Sequence, residues 1–181
     1  MKDTIVINII GGPGSGKTTI AAGLYAQLKR LGYDVENVPE FSNELVFEEH
    51  MSAFNDRLYM HAMQNHRLFV MNGKLDYIIT DSPLLLTSIY NDFYLKDKMP
   101  ASYNEMIHLA VKETHNLYHN VTYYLERNTN YNVVGRRENE TDAIALDTLV
   151  LDYLHQNQIS YKTISIENGV DEILEDLKKG L

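Results

Sequence analysis

The stretch that most constrains this chain is Gly11-Gly12-Pro13-Gly14-Ser15-Gly16-Lys17-Thr18, with Thr19 next. It fits G-x-x-x-x-G-K-[ST], the phosphate-binding loop called Walker A. Thr4 to Ile10 before it read TIVINII, a near-continuous β-branched run suited to a strand buried on both sheet faces. Thr18 to Arg30 after it read TTIAAGLYAQLKR, with apolar Ile20, Leu24 and Leu28 at helical spacing. A glycine-rich turn with a chance lysine would not carry both flanks. The motif therefore stands in the strand–loop–helix context that its chemistry needs.

That chemistry is specific to the residue types. Glycines let the backbone curl so that successive N–H groups, and the positive end of the following helix, converge on a polyphosphate. Gly11, Gly12, Pro13, Gly14, Ser15, Gly16, Lys17, Thr18 and Thr19 are thus the expected binding set for ATP. Lys17 can reach the β- and γ-phosphates, and the Thr18 hydroxyl can ligate Mg2+.

Further along, the segments alternate strand and helix, which predicts a parallel sheet with helices on both faces. The expected elements are a strand over Asp34 to Val38, a short helix near Asn43 to Glu49 and a long helix from Ala53 to Met71. A strand over Asp76 to Thr80, a helix from Leu84 to Tyr90, a loop over Asn91 to Pro100 and a helix from Ala101 to Tyr118 follow. The last elements are a strand over Val121 to Leu125, a helix from Glu138 to Asn157, a strand over Tyr161 to Ile166 and a terminal helix from Asp171 to Lys179. In the long helix, Phe54, Leu58, Ala62 and Phe69 form the expected core stripe. Arg57, Met60, Gln64 and Arg67 lie on another face, as a candidate substrate wall. In the helix from Ala101, the expected face is Tyr103, Ile107, Ala110, Thr114 and Leu117. His108, His115 and His119 read as scattered surface histidines.

Two carboxylates fall at strand ends. Glu40 follows the second strand at its C-terminal edge, where open α/β sheets bind ligands. Asp81 ends an apolar strand downstream of the phosphate loop, the Walker B pattern for Mg2+. It also stands before Ser82-Pro83, where it could cap a helix. Arg127 and the paired Arg136 and Arg137 fall in a polar segment, residues 127–140, that reads as a lid over a transferring phosphoryl group.

Composition removes other classes. At 181 residues the chain suits one domain spanning residues 1–181. Its formal net charge of -9 opposes the basic footprint of duplex-DNA binding. There is no Cys, hence no disulfide, thiol nucleophile or Cys-based zinc site. The first strand starts almost at once and no apolar run is long enough for a membrane, so the expectation is a soluble cytoplasmic protein.

The order of parts resembles the small P-loop kinases of nucleosides and nucleotides over nearly the whole chain. VPEFSNELV, ITDSPLLLTSIY and YYLERNTNYNVVGRRE look most like the ribosylnicotinamide-kinase-type AAA-like ATPases, which include many phage and bacterial enzymes. The resemblance implies a doubly wound α/β P-loop NTPase fold with a five-stranded parallel sheet in the order 2-3-1-4-5. It implies Mg-ATP-dependent phosphotransfer to a small nucleoside- or nucleotide-like acceptor. In similar deoxynucleoside kinases a Glu after the second strand is the base and a Gln on the next long helix reads the nucleobase; Glu40 and Gln64 occupy those places. Those enzymes usually show Glu-Arg-Ser or Asp-Arg where this chain has Asp81-Ser82-Pro83. On this reading Lys17, Glu40, Asp81, Arg136 and Arg137 are catalytic. Glu40, Arg57, Gln64, Arg67 and Arg127 bind the acceptor, and Thr18 and Asp81 hold the metal. A kinase of a modified base in DNA and a regulatory ATPase switch stay open as alternatives, as does a homodimer. No N-K-x-D motif follows the fourth strand, which argues against a GTPase.

Overall fold

The structure, a computed structural model, describes residues 2–42, 45, 51–127 and 139–180. Its centre is β1 (Ile5–Ile10), whose residues from Val6 to Ile10 are all buried. A central strand of a parallel sheet is covered on both faces, so its sequence is continuously apolar instead of alternating. β2 (Val35–Val38), β3 (Tyr77–Thr80), β4 (His119–Leu125) and β5 (Lys162–Ile164) complete a five-stranded sheet in the order β2-β3-β1-β4-β5, every pairing parallel. This is the order that the resemblance to the small P-loop kinases implies. It places the reversal of strand order between β1 and its neighbours, beside the phosphate loop.

Helices cover both faces. On one side α1 (Lys17–Arg30) and the last helix, α6 (Gly169–Lys179), pack Ile20, Leu24, Leu28 and Ile173 against Ile7, Ile9 and Tyr123. On the other, α3 (Leu85–Tyr94), α4 (Ala101–His115) and α5 (Glu140–Gln156) pack Leu85, Ile89, Ile107, Val111, Leu146, Val150 and Leu154 against Ile10 and Tyr124. The α5 ridge, Ala143, Leu146, Val150 and Leu154, is buried as its spacing predicts. Among the described residues no helix is long and apolar enough to cross a membrane.

Three expectations need correction. The long helix is split: a 3₁₀ turn, Met51–Asn55, precedes α2 (Arg57–Phe69), because the Asp56 side chain accepts the Tyr59 N–H at 3.0 Å and starts a new helix there. Its inward face is also rotated from the expected stripe. Arg57, His61, Gln64 and Leu68 are buried, whereas Ala62 is exposed and Phe69 is 64% exposed. Second, α3 runs on to Tyr94 through the segment expected as a loop, because Asn91 is fully buried and donates to Asn104 Oδ1 at 2.8 Å. Third, α4 stops at His115, with Ile107, Val111 and His115 inward and Leu117 left 63% exposed beyond it. The short helix expected near Asn43 to Glu49 lies largely outside the described residues.

Candidate active site

The loop between β1 and α1 folds around one carbonyl. Gly12 O accepts from Ser15 Oγ at 3.1 Å and from Lys17 Nζ at 2.8 Å. Gly16 has a φ of 100°, a left-handed conformation, and a Cβ there would lie 2.5 Å from Ile166 Cδ1. Only glycine meets both demands. α1 begins at Lys17 with no side-chain cap, so the N-terminal end of the helix opens onto the same loop. The arrangement has what an anion site at a helix N-terminus requires.

Thr18, at the start of α1, reaches across to the end of β3. Its Oγ1 donates to Asp81 Oδ2 at 2.6 Å. Asp81 is 4% exposed, and its Oδ1 has no hydrogen-bond partner among the described residues. A buried carboxylate oxygen without a partner is costly unless something else satisfies it. The residue that starts α3 is preceded by Leu84, and no side chain caps the helix, so the capping alternative for Asp81 has no bond to support it. A hydroxyl and a carboxylate form a hard, all-oxygen donor pair that fits Mg2+, which is held by one or two carboxylates plus substrate phosphates. Among the described residues no cluster of three or more His, Cys, Asp or Glu competes for a metal.

The acceptor-side residues come together differently from the sequence picture. Glu40 is half-buried just after β2, and the Ser42 hydroxyl donates to its Oε1. Gln64 is buried with both ends of its amide engaged. Its Oε1 accepts the Phe41 N–H at 3.1 Å, and its Nε2 donates to Thr80 Oγ1 at 3.4 Å. Thr80 Oγ1 also accepts the Ser82 N–H at 3.1 Å. Gln64 is therefore a crossbar between the segment that carries Glu40 and the strand end that carries Asp81. Arg67 braces the same segment: its Nη1 donates to Pro39 O at 3.2 Å, and its guanidinium lies 5.2 Å from the Phe41 ring centre. Arg57 is buried with its guanidinium 5.9 and 5.8 Å from the ring centres of Tyr90 and Tyr94. These side chains hold α2, α3 and the loop after β2 in place. The polar inward face of α2 has this cause: it meets loop amides and hydroxyls at the sheet's edge, where an apolar stripe would leave them unsatisfied.

Arg127, at the end of β4, does not point toward this acceptor wall. Its Nε donates to Asp147 Oδ2 at 2.6 Å and its Nη2 to Pro13 O at 2.7 Å. Asp147, on α5, takes the Gly12 N–H on its other oxygen at 2.7 Å. A Cβ on Gly12 would lie 2.2 Å from that oxygen and 2.9 Å from Ala143 O, so glycine is required for α5 to come this close. Tyr124 beside the pair is pushed up to about 12 by burial first, with Asp147 and Glu126 adding to it, so its phenol stays neutral. Asp147 was missed in the sequence. The readable signal was its place four residues after Ala143, on the inward side of an otherwise apolar ridge.

Arg136 and Arg137 lie outside the described residues. The histidines are not uniformly at the surface. His108 Nε2 lies 2.9 Å from Asp92, His119 faces Asp3 at 3.2 Å, and His115 is buried.

The profile of the AAA domain family matches residues 6–172, so the chain belongs to that family. No curated protein matches it. Among solved structures it is similar to the NadR protein in complex with NR, with a TM-score of 0.67 and 16% identity over 91% of this chain and 46% of that one. The chain thus spans less than half of that protein. It is also similar to thymidylate kinase from Ehrlichia chaffeensis, with a TM-score of 0.66 and 15% identity over 97% and 100% of the two chains. Deoxyadenosine kinase from M. mycoides with bound dATP gives a TM-score of 0.62 and 20% identity over 96% and 98%. At these identities the likeness shows the fold, which is that of the small P-loop nucleoside and nucleotide kinases.

Proposed function

We propose that this AAA-family chain is a Mg-ATP-dependent kinase of a small nucleoside- or nucleotide-like acceptor. The observation that carries the reading is the Thr18–Asp81 contact. It brings the phosphate loop to a buried strand-end carboxylate with one oxygen left over. Glu40 supplies the second carboxylate that a kinase needs and a simple nucleotide switch does not.

In the proposed reaction the loop amides and Lys17 hold the phosphates of ATP. Thr18 and Asp81 would hold Mg2+, which neutralises charge on the β- and γ-phosphates when bound. Glu40 accepts the proton of the acceptor hydroxyl. That oxygen bonds to the γ-phosphorus as the bond to the β–γ bridging oxygen breaks, and ADP leaves. The reading is supported by the Ser42 hydroxyl, which already donates to the Glu40 carboxylate. Gln64 and Arg67 act by fixing the loop that carries Glu40. Arg136 and Arg137 are assigned on sequence pattern to charge stabilisation at the moving phosphoryl group, within a lid over residues 127–140 of a single domain.

The test is a transfer screen with labelled ATP and Mg2+ against nucleosides, nucleotides and short oligonucleotides. A labelled small-molecule product that disappears with Glu40→Gln is the expected result. Labelling of oligonucleotides alone would move the assignment to a nucleic-acid kinase. ATP hydrolysis with no labelled acceptor, unaffected by Glu40→Gln, would leave a switch.

A further inference from the structure

We propose that Asp147 and Arg127 form a charge-neutral clamp that sets the phosphate loop's affinity for nucleotide, with Arg127 as counter-charge rather than acceptor ligand. The proposal rests on the phosphate-binding reading of the loop and names two positioning residues for it.

The geometry is a closed bracket. Asp147 reaches from α5 and binds the Gly12 N–H and the Arg127 Nε through its two oxygens, at 2.7 and 2.6 Å. Arg127 closes the bracket by donating to Pro13 O at 2.7 Å. The side chains of the pair are only 13% and 14% exposed, so solvent screens them weakly. Two consequences follow. The Gly12 N–H is spent on Asp147 and Pro13 has none, so the amides left for a phosphate begin after Pro13. More important, a carboxylate bonded to the first limb of the loop stands close to where several negative charges must bind. Alone it would repel them through a partly dry medium. The guanidinium cancels that charge and, being planar with several donors, also fixes the loop carbonyl. Asp147 is thus tolerable beside a polyphosphate only because Arg127 is there.

A merely structural brace and a charge clamp predict opposite double-mutant behaviour. ADP binding to the full chain is measured by calorimetry for wild type, Arg127→Met, Arg127→Lys, Asp147→Asn and the Arg127→Met/Asp147→Asn pair. With Arg127→Met, Asp147 is left uncompensated, and ADP affinity should fall about tenfold or more. Adding Asp147→Asn should restore affinity to within about threefold of wild type, a positive coupling. Arg127→Lys keeps the charge without the two-donor fork and should bind clearly tighter than Arg127→Met, which also covers the case in which the methionine variant fails to fold. A double variant no tighter than Arg127→Met, or a lysine variant as weak as the methionine one, would each overturn the clamp. ADP binding needs no acceptor, so a chain that binds ADP and phosphorylates nothing would sink the kinase reading alone.

Discussion

The two sides of the candidate site are built on different principles. The donor side is a contiguous motif: Gly11 to Thr19 lie together in sequence and in space, and Asp81, Asp147 and Arg127 reach it from elsewhere in the chain. The acceptor side is assembled from separate elements, with Glu40 after β2, Gln64 and Arg67 on α2 and Thr80 at the end of β3. On the donor side the polar groups bond to one another around a single loop. On the acceptor side most of them are used to fix one short segment. The comparison teaches that a polar face on a helix next to a site can serve as scaffolding as readily as recognition. In α2 both amide ends of Gln64 are already bonded within the protein.

Breaking the donor side should have the largest effect. Lys17→Ala removes a cation that no other residue in the motif replaces, and loss of one such electrostatic group costs about 10²–10³-fold in turnover. The protein should stay folded, since Lys17 lies on the phosphate loop at the start of α1 and its ammonium bonds to Gly12 O of the same loop, not to the buried core. Steady-state kinetics with a thermal melt check both halves of the statement. Near-normal turnover in a folded variant would remove the donor side from the mechanism.

The next effect tests the acceptor side at its one chemical group. Glu40→Gln keeps shape and removes the charge that takes a proton. General-base help is worth about 10²–10⁴-fold, so transfer should drop by about 10²-fold or more while ATP binding survives. A smaller effect, and a different kind, is expected for Gln64→Leu. It leaves the Phe41 N–H without its acceptor, at a cost of about 1–3 kcal/mol in unfolding free energy. It also loosens the segment that holds Glu40, so kcat should fall with little change in the KM for ATP. If Gln64 instead contacted the acceptor directly, the acceptor KM would rise and unfolding would be unaffected. Urea melts and initial rates on the same preparations separate these outcomes.

These differences also explain what could be read from the sequence. The phosphate loop is a local pattern whose spacing is its geometry, and alternating strands and helices imply a parallel sheet covered on both faces, so both were legible; the strand order came from the family resemblance. The inward face of α2 was not, because the expectation ranked apolar residues inward. Phe69 ended up exposed and Arg57, His61 and Gln64 buried, since that face meets hydroxyls and amides on other elements rather than a hydrophobic layer. Asp147 escaped for a related reason. Its partners, Gly12 and Arg127, are 135 and 20 residues away in sequence, and no local spacing encodes such a bracket.

The smallest effect expected is one of pH, and it too should divide the two sides. His61 and His115 are the buried histidines among the described residues, and both belong to helices α2 and α4, away from the donor motif. His61 sits with Nε2 at 2.9 Å from Thr114 Oγ1, and Thr114 donates its own proton to Ala110 O, so the ring supplies the hydrogen in that bond. Burial holds both imidazoles below their ordinary value of 6.5. In the unfolded chain they titrate near 6.5, so just below that pH the unfolded state binds more protons than the folded one. Stability then rises with pH through this window and levels off above it. The contribution is fully present above 6.5 and is lost as pH falls toward the depressed folded values. Urea midpoints at pH 7.5 and pH 5.5 should show the lower value at 5.5. Hydrogen-exchange protection corrected for intrinsic rates should fall first in α2 and α4, and least in α1. His61→Asn should flatten the dependence without reversing it, because His115 still titrates. A midpoint that holds steady from pH 7.5 to 5.5, or protection lost first around the phosphate loop, would mean that the two sides do not differ in this way.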